Sequence, residues 1–258
     1  TSPSQYESVL SEMRDKRGSI GEDLRRDLAR QAFGLTASYD AAISKYLNGR
    51  AEDLFPQRLS IAAIKEQELR YGENPHQRGA FYKLTDSREV SVGAARLLEG
   101  DTPISFNNLM DANAAFELVK EFDEPAAVVV KHMNPCGCAV DSDIQRAYEK
   151  AYLGDVVSAF GGIVALNRPV DPDLAVAIMD SYARFGKAHG AGGFFAEVIV
   201  APLFEPEAIE LIRTLKTWGQ RVRLLETGPI DRQKRDKREY DIRCLVGGLL
   251  LQERDLAG

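Results

Sequence analysis

Three cysteines in 258 residues are too few for the disulfide framework of a small secreted domain, and the reduced cytosol is the natural setting for such a chain. No apolar run approaches the ~18–20 residues that a helix needs to cross a bilayer. The opening stretch Thr1–Ile20 is strongly charged and holds no apolar centre, so it does not read as a secretory signal. Basic residues are in the minority, 33 against 39 acidic ones, for a net charge of -6. That balance argues against broad, nonspecific nucleic-acid binding but leaves room for a small basic pocket that takes a phosphate. Internal repeats, low-complexity blocks and heptad runs are also missing. An initiator methionine is absent as well, so Thr1 is either a product of processing or the start of a fragment.

The apolar set, 44% of the residues, is ample for one substantial domain or two smaller ones. A chain of this size buries roughly 70% of its unfolded surface. The first fifty residues read as helices. Ser2-Pro3-Ser4 opens a short one carrying Tyr6, Val9, Leu10 and Met13 at helical spacing. Ser19 with Glu22 three positions on fits a capping box for the next, whose apolar side holds Leu24, Leu28 and Phe33. Tyr39, Ile43, Tyr46 and Leu47 continue the stripe until Asn48-Gly49, which gives a helical arm with one packed face.

Beyond Leu54 the texture changes. A polar stretch around Lys65-Glu66 leads to Leu69–Gln77, whose Gly72 and Asn74-Pro75 pair break any regular helix. Ala80–Leu84 reads as a short strand, and Asp111 as the cap of a helix from Ala112 to Phe122. Ala126–Val130 and Gly161–Leu166 read as buried apolar strands, and Phe195–Ala201 and Val222–Leu225 as further strands. Helices are expected at Ile144–Tyr152, after Asp171-Pro172, and at Pro206–Trp218. Tyr240–Gln252 reads as an extended pair or hairpin, with Cys244 as a core residue, and the charged run Asp231–Glu239 as a solvated loop. Strands alternating with helices predict a layered α/β fold.

The sharpest chemical feature is Lys131-His132 at the end of an apolar strand, where ligand sites of α/β sheets gather. If both face a pocket, the ammonium disfavours protonation of His132 and keeps the imidazole ready to accept a proton. It also stabilises developing negative charge. The alternative is a lysine that reaches to solvent beside a structural histidine. Arg70 and Tyr71 can hold a phosphate monoester through a guanidinium fork and a hydroxyl, or simply build a loop with Asn74-Pro75-His76-Gln77. Ser158–Gly162 is a small-residue loop of the kind that lets backbone approach something closely, but it lacks the Gly-Lys-Ser/Thr of a phosphate-binding loop. His189 reads as loop. His132, Cys136 and Cys138 superficially match a nucleobase-deaminase zinc set. That set requires H-x-E followed by P-C-x-x-C, whereas this sequence has Asn134 and a C-x-C spacing, so no metal is expected. Nothing marks either cysteine as an activated nucleophile.

Four long motifs occur in order: Leu69–Gln77 (LRYGENPHQ), Phe106–Leu109 (FNNL) with Asp111-Ala112, Val130–Gly137 (VKHMNPCG) and Asp155–Gly162 (DVVSAFGG). Together with D-x-R-x-x-x-G-G-x-L-x-Q at Asp241–Gln252, they resemble the bifunctional purine-biosynthesis enzymes that join AICAR transformylase to IMP cyclohydrolase. The resemblance implies formyl transfer from 10-formyltetrahydrofolate, a co-substrate, to the 5-amino group of AICAR. It implies a layered α/β/α, cytidine deaminase-like subdomain without the zinc. By the same likeness His132 is the general base and Lys131 its charged assistant. Arg70 and Tyr71 bind the nucleotide, Asn108, Gly161 and Glu197 line the AICAR site, and Asn134 positions the formyl or carboxamide group.

The family's proteins are considerably longer than this chain. Residues 1–52 therefore look like the trailing helical segment and linker of the cyclohydrolase region. Residues 53–258 look like the first deaminase-like subdomain and the start of the second. On that reading the piece does not close the ring to IMP, and its site is completed by the remaining half of the enzyme across a cytoplasmic homodimer. Small molecules, rather than nucleic acid or membrane, are the expected partners. A noncatalytic phosphoribosyl-nucleotide-binding or assembly module is the alternative.

Overall fold

A computed structural model of the chain describes residues 2–48, 54–85, 87, 89–98, 102–231, 234–235 and 239–256. Contacts divide the chain into two units, one of Thr1–Ile64, Leu84–Ser87 and Lys237–Asp255, the other of Lys65–Lys83, Arg88–Asp236 and Leu256–Gly258.

The first unit is helical with an added ribbon. Ser2 caps a short 3-10 turn that leads into α1 (Tyr6–Asp15), as its Ser-Pro-Ser start predicts. Gly18, in the left-handed region at φ 86, then ends the first helical stretch, its N–H returning to the Met13 carbonyl at 2.7 Å. The second helix, α2 (Glu22–Asn48), is not capped by Ser19. The Ser19 hydroxyl instead donates to the Lys16 carbonyl at 2.5 Å, drawn to an acceptor left open at the end of α1. Gly21 takes over, its carbonyl accepting the Arg25 N–H at 3.1 Å. The expected packed face forms only in part: Leu24 and Leu28 are half-buried, but no residue of α2 is fully buried and Phe33 is 76% exposed. Residues 240–253 form the expected hairpin, β9 (Tyr240–Leu245) against β10 (Gly248–Glu253), antiparallel and turned at Gly247. A two-stranded ribbon buries little, so Cys244 is exposed and not a core residue. Of the charged run 231–239, residues 232–233 and 236–238 lie outside the described set.

A two-stranded sheet, β1 (Ala63–Leu69) with β2 (Gly79–Leu84), flanks the Arg70–Gln77 loop. Its first strand was hidden in the sequence because Lys65, Glu66 and Glu68 are exposed and break the apolar alternation on which strand recognition rests.

The centre of the second unit is a six-stranded sheet. Its strands are β3 (Arg96–Leu97), β4 (Ala126–Lys131), β5 (Asn134–Val140), β6 (Gly162–Leu166), β7 (Ala196–Ala201) and β8 (Arg223–Glu226), in the order β3-β8-β7-β6-β4-β5. The trio β6, β7 and β8 is parallel, while β4 runs antiparallel to β6, β5 to β4, and β3 to β8. The period-two alternation of β4 sends Ala126, Val128 and Val130 to one face, against Ala112, Ala115 and Phe116 of α3 (Phe106–Val119). Ala127 and Val129 go to the other, which is covered by α4 (Ile144–Leu153), α5 (Pro172–Met179) and α6 (Pro206–Thr214). At the centre of the sheet both faces are buried, so β4 and β6 read as unbroken apolar runs, and the architecture is α/β/α in layers. Each fully buried valine or isoleucine contributes about 1.5–3 kcal/mol by its removal from water. The sixth helix stops at Thr214 rather than at Trp218, because the chain doubles back at Gly219, where a Cβ would lie 1.9 Å from the Ile212 carbonyl oxygen.

Candidate functional site

Antiparallel pairing of β4 with β6 puts the end of one beside the start of the other, Val130 opposite Ile163. Lys131 therefore lies at the amino ends of the parallel strands β6 to β8. It closes its own apolar strand, as the sequence predicts, but because β4 runs against β6 that end is not the carboxyl end of the parallel set, where ligand sites usually gather. The site is built instead from one strand end, two loops and the start of α3.

Lys131 is half-buried, and its Nζ donates to the Gly161 carbonyl at 2.8 Å. Gly161 has φ 69, and a Cβ there would stand 2.8 Å from Phe195 Cζ and 3.1 Å from the ammonium nitrogen. Its own N–H donates to the Phe195 carbonyl at 2.9 Å. The loop before it is anchored by Asp155, whose carboxylate accepts from the Ser158 hydroxyl at 2.6 Å and from the Ser158 and Val157 N–H groups at 2.9 and 3.1 Å. These bonds, the Ser158 hydroxyl foremost, hold the Asp155 carboxyl below the usual range. Asp155 thus fixes the loop that carries Gly161 to Lys131.

His132 and Met133 form a two-residue turn between β4 and β5, with Lys131 paired to Asn134. Both turn residues are left-handed, at φ 53 and φ 63. This is the geometry of a type I′ hairpin, for which Asn-Gly is the favoured sequence. A residue with a Cβ pays roughly 1–2 kcal/mol for it. The turn is held from outside. Asp111 accepts the Met133 N–H at 2.8 Å and the His132 N–H at 3.3 Å, and Asn134 Nδ2 donates to the His132 carbonyl at 2.8 Å. His132 and Asn134 are both exposed.

Asp111 is accordingly no helix cap. The helix starts six residues earlier than expected, where the Ser105 hydroxyl accepts the Asn108 N–H at 3.1 Å and Asn108 Oδ1 accepts the Ser105 N–H at 3.2 Å. This reciprocal box escaped notice in the sequence because asparagine stands where Glu or Gln is usual. The helix ends at Val119, short of Phe122. Asn108 is buried, and its side-chain oxygen is committed to the helix start. The neighbouring Asn107 donates to the Glu73 carbonyl at 3.2 Å and so ties the Arg70–Gln77 loop to α3. Positions 107, 108 and 111 share one helical face, which is why a single helix reaches both loops.

Arg70 is exposed and stacks its guanidinium over the half-buried Tyr71 ring, 5.6 Å from the centroid. The loop closes on itself through Gly72 N–H to the Gln77 carbonyl at 2.7 Å. Among the described residues no hydrogen bond joins Arg70 or Tyr71 to Lys131 or His132. Glu197 is half-buried at the start of β7 and is paired to Arg223, a side chain only 8% exposed. The remaining Arg223 donors reach the Pro103 carbonyl at 3.2 and 3.1 Å. Sequence reasoning quoted Asn107 and Asp111 within a motif but gave them no role at the site, and it passed over Arg223. The signal for the last was visible, an arginine opening an otherwise apolar strand.

The Cys136 and Cys138 thiols are both pushed up by burial, with the charge of Asp155 adding to the effect on Cys136, so neither is poised as a thiolate. His189 lies in a short 3-10 turn and not in open loop, its Nδ1 at 2.8 Å from the Phe185 carbonyl. Among the described residues no group of three or more His, Cys, Asp and Glu is arranged to hold a metal ion, and no helix is long and apolar enough to cross a membrane.

The family described as the AICARFT/IMPCHase bienzyme matches residues 1–258. A bifunctional purine biosynthesis protein PurH from Myxococcus xanthus is 45% identical over 257 residues, 98% of this chain and 46% of that protein. Proteins of the same description from Sorangium cellulosum and Halalkalibacterium halodurans are 43% and 41% identical, over 98% and 99% of this chain and 47% and 46% of theirs. The chain thus spans about half the length of the curated relatives it matches. With the family matched from its first residue to its last, this chain belongs to the AICARFT/IMPCHase bienzymes.

Proposed function

We propose that this chain carries the proton-transfer end of a formyltransferase site, moving the formyl group of 10-formyltetrahydrofolate to the 5-amino group of AICAR. The observation that carries the reading is the Lys131-His132 pair, one side chain braced on Gly161 and the other presented on a clamped turn, in a chain matched end to end by a family of that description. The amine nitrogen attacks the formyl carbon, the carbon–oxygen double bond opens to an oxyanion, and His132 takes the proton that the amine sheds. Lys131 has two N–H donors left after Gly161, enough to steady the oxyanion. On collapse the bond from the formyl carbon to N10 breaks, N10 takes up a proton, and the products are FAICAR and tetrahydrofolate. An amine conjugated to an aromatic ring is a poor nucleophile, so a base and a stabilised oxyanion are both required.

Around that pair, Arg70 and Tyr71 are read as the phosphate end of the nucleotide site, and Asn108, Asn134, Gly161 and Glu197 as its lining. The three-layer unit is read as a deaminase-like subdomain in which Asn134 and the C-x-C spacing replace the zinc set. Residues 1–52 are read as the tail and linker of the cyclohydrolase region, and 53–258 as transformylase. Closure of FAICAR to IMP, and completion of the folate site across a homodimer, belong on this reading to the complete cytoplasmic enzyme. The test is AICAR-dependent release of tetrahydrofolate, measured on this chain and on the complete product of its gene. Activity in the complete product alone is the expected result. Silence in both, with each folded, sinks the reading in favour of a nucleotide-binding module.

A further inference from the structure

Asp111 is half-buried on α3, yet among the described residues its carboxylate bonds neither to its own helix nor to a cation. Both oxygens serve the turn between β4 and β5: Oδ1 accepts the Met133 N–H at 2.8 Å, and Oδ2 accepts the His132 N–H at 3.3 Å. Two consecutive amides converge on one carboxylate here because both residues are left-handed, at φ 53 and φ 63. Neither histidine nor methionine has a local means of offsetting that conformation, which in most hairpins is left to Asn-Gly. The Asn134 side chain holds the other side of the same residue by donating to the His132 carbonyl at 2.8 Å. With its N–H held from α3 and its C=O held from β5, the His132 backbone is fixed. Only the two side-chain torsions remain to aim the imidazole.

We propose that Asp111 is a positioning residue for the transfer reaction: its carboxylate locks the His132-Met133 turn in the left-handed form and so sets where the His132 imidazole meets the proton of the attacking amine. The inference rests on the formyl-transfer reading above. In this role Asp111 touches backbone only, so its loss slows the chemical step and leaves nucleotide affinity alone. A carboxylate that merely stabilised the hairpin would show its loss in melting temperature, with no separation of kcat from KM. The rescue is equally distinctive. Glycine at position 133 adopts positive φ without cost and replaces what the carboxylate supplies, although no charge is restored.

The experiment compares the parent, Asp111→Asn, Met133→Gly and the double variant in the complete enzyme. It reads kcat, KM for AICAR, and hydrogen exchange of the amides at 132 and 133. Misplacing a catalytic group by about 1 Å costs on the order of 100-fold, so Asp111→Asn is expected to lower kcat by about 10–100-fold with KM within about twofold. The two amides exchange faster in that variant, and adding Met133→Gly recovers most of the lost kcat. An active parent whose Asp111→Asn variant keeps its kcat, or loses it beyond rescue by Met133→Gly, overturns the positioning role alone. So does a rise in KM proportional to the fall in kcat. An inactive parent overturns the formyl-transfer reading, and the positioning role with it.

Discussion

Lys131 Nζ donates to the carbonyl of Gly161 at 2.8 Å, and that one bond joins the end of β4 to the residue just before β6. The bond requires the loop backbone to pass within reach of a half-buried ammonium, and glycine is the only residue that passes there unhindered. Its φ of 69 is the left-handed region, and a Cβ would meet Phe195 Cζ at 2.8 Å. Gly161→Ala is therefore expected to cost about 1–3 kcal/mol in urea denaturation and to displace the lysine as well. Gly190→Ala is the control. Its φ of 86 is equally left-handed, but nothing lies within 4 Å of a Cβ there, so it carries the backbone cost without the displacement. Equal losses of formyl transfer in the two variants would show that Lys131 gains nothing from its anchor.

His132→Ala separates a base from a binding group. The turn keeps its Asp111 and Asn134 bonds because both are made to the His132 backbone, so the substitution removes the imidazole and little else. Loss of general-base assistance is worth about 100- to 10,000-fold in kcat, with AICAR affinity measured by equilibrium dialysis nearly unchanged. Parallel loss of rate and affinity would make His132 a binding residue.

Much of the fold was legible in the sequence, because burial on both faces writes a strand as an unbroken apolar run. The Ala126–Val130 run became β4 with Lys131 added, Ile144–Tyr152 became α4 to within a residue, and the 240–252 hairpin was read in place. The pairing partners of the site were not legible. Asp111 with Met133 and Arg223 with Pro103 are contacts between positions far apart in the chain, which no helical or strand period records. Asp111 reads as a cap when only its neighbours are considered, since a short acidic side chain before an alanine-rich run is the usual cap signal. Strand order was closed to the sequence for the same reason: Lys131 ends its own strand as expected, but nothing within β4 tells whether β6 runs with it or against it.

The fold also carries a charge pair whose acid behaviour is fixed in sign. Lys150 donates to Asp141 at 2.6 Å, and with the Asp143 N–H it holds the Asp141 carboxyl at about 2, below its ordinary 3.8. A group depressed on folding adds stability above its unfolded pKa and loses it as the pH falls through the folded one. The contribution of Asp141 is thus complete above about pH 4 and fades between there and about pH 2. A carbon-13 titration of Asp141 should show the low midpoint, and Lys150→Met should move it up toward 3.8. A midpoint indifferent to that substitution would assign the depression to the backbone N–H instead.

Arg223 supports the site from beneath, and its removal should be felt at a distance. Its side chain is 8% exposed and divides its donors between the Glu197 carboxylate and the Pro103 carbonyl, two residues before the Ser105 cap of α3. Arg223→Ala leaves a half-buried carboxylate and a carbonyl without their partner, a loss of about 3–5 kcal/mol by denaturation. Arg223→Lys keeps the charge, but a single ammonium cannot reproduce a planar fork aimed at two acceptors. It should therefore recover only part of that loss. Glu197→Gln removes the charge while leaving Pro103 bonded, so its cost should be the smaller, about 1–3 kcal/mol. Because α3 also carries Asn107, Asn108 and Asp111, slack at Pro103 is transmitted to both loops of the site. Formyl transfer should therefore fall further in Arg223→Lys than in Glu197→Gln at matched stability. The reverse order would mean that the Glu197 carboxylate itself faces the nucleotide and that Arg223 matters only for folding.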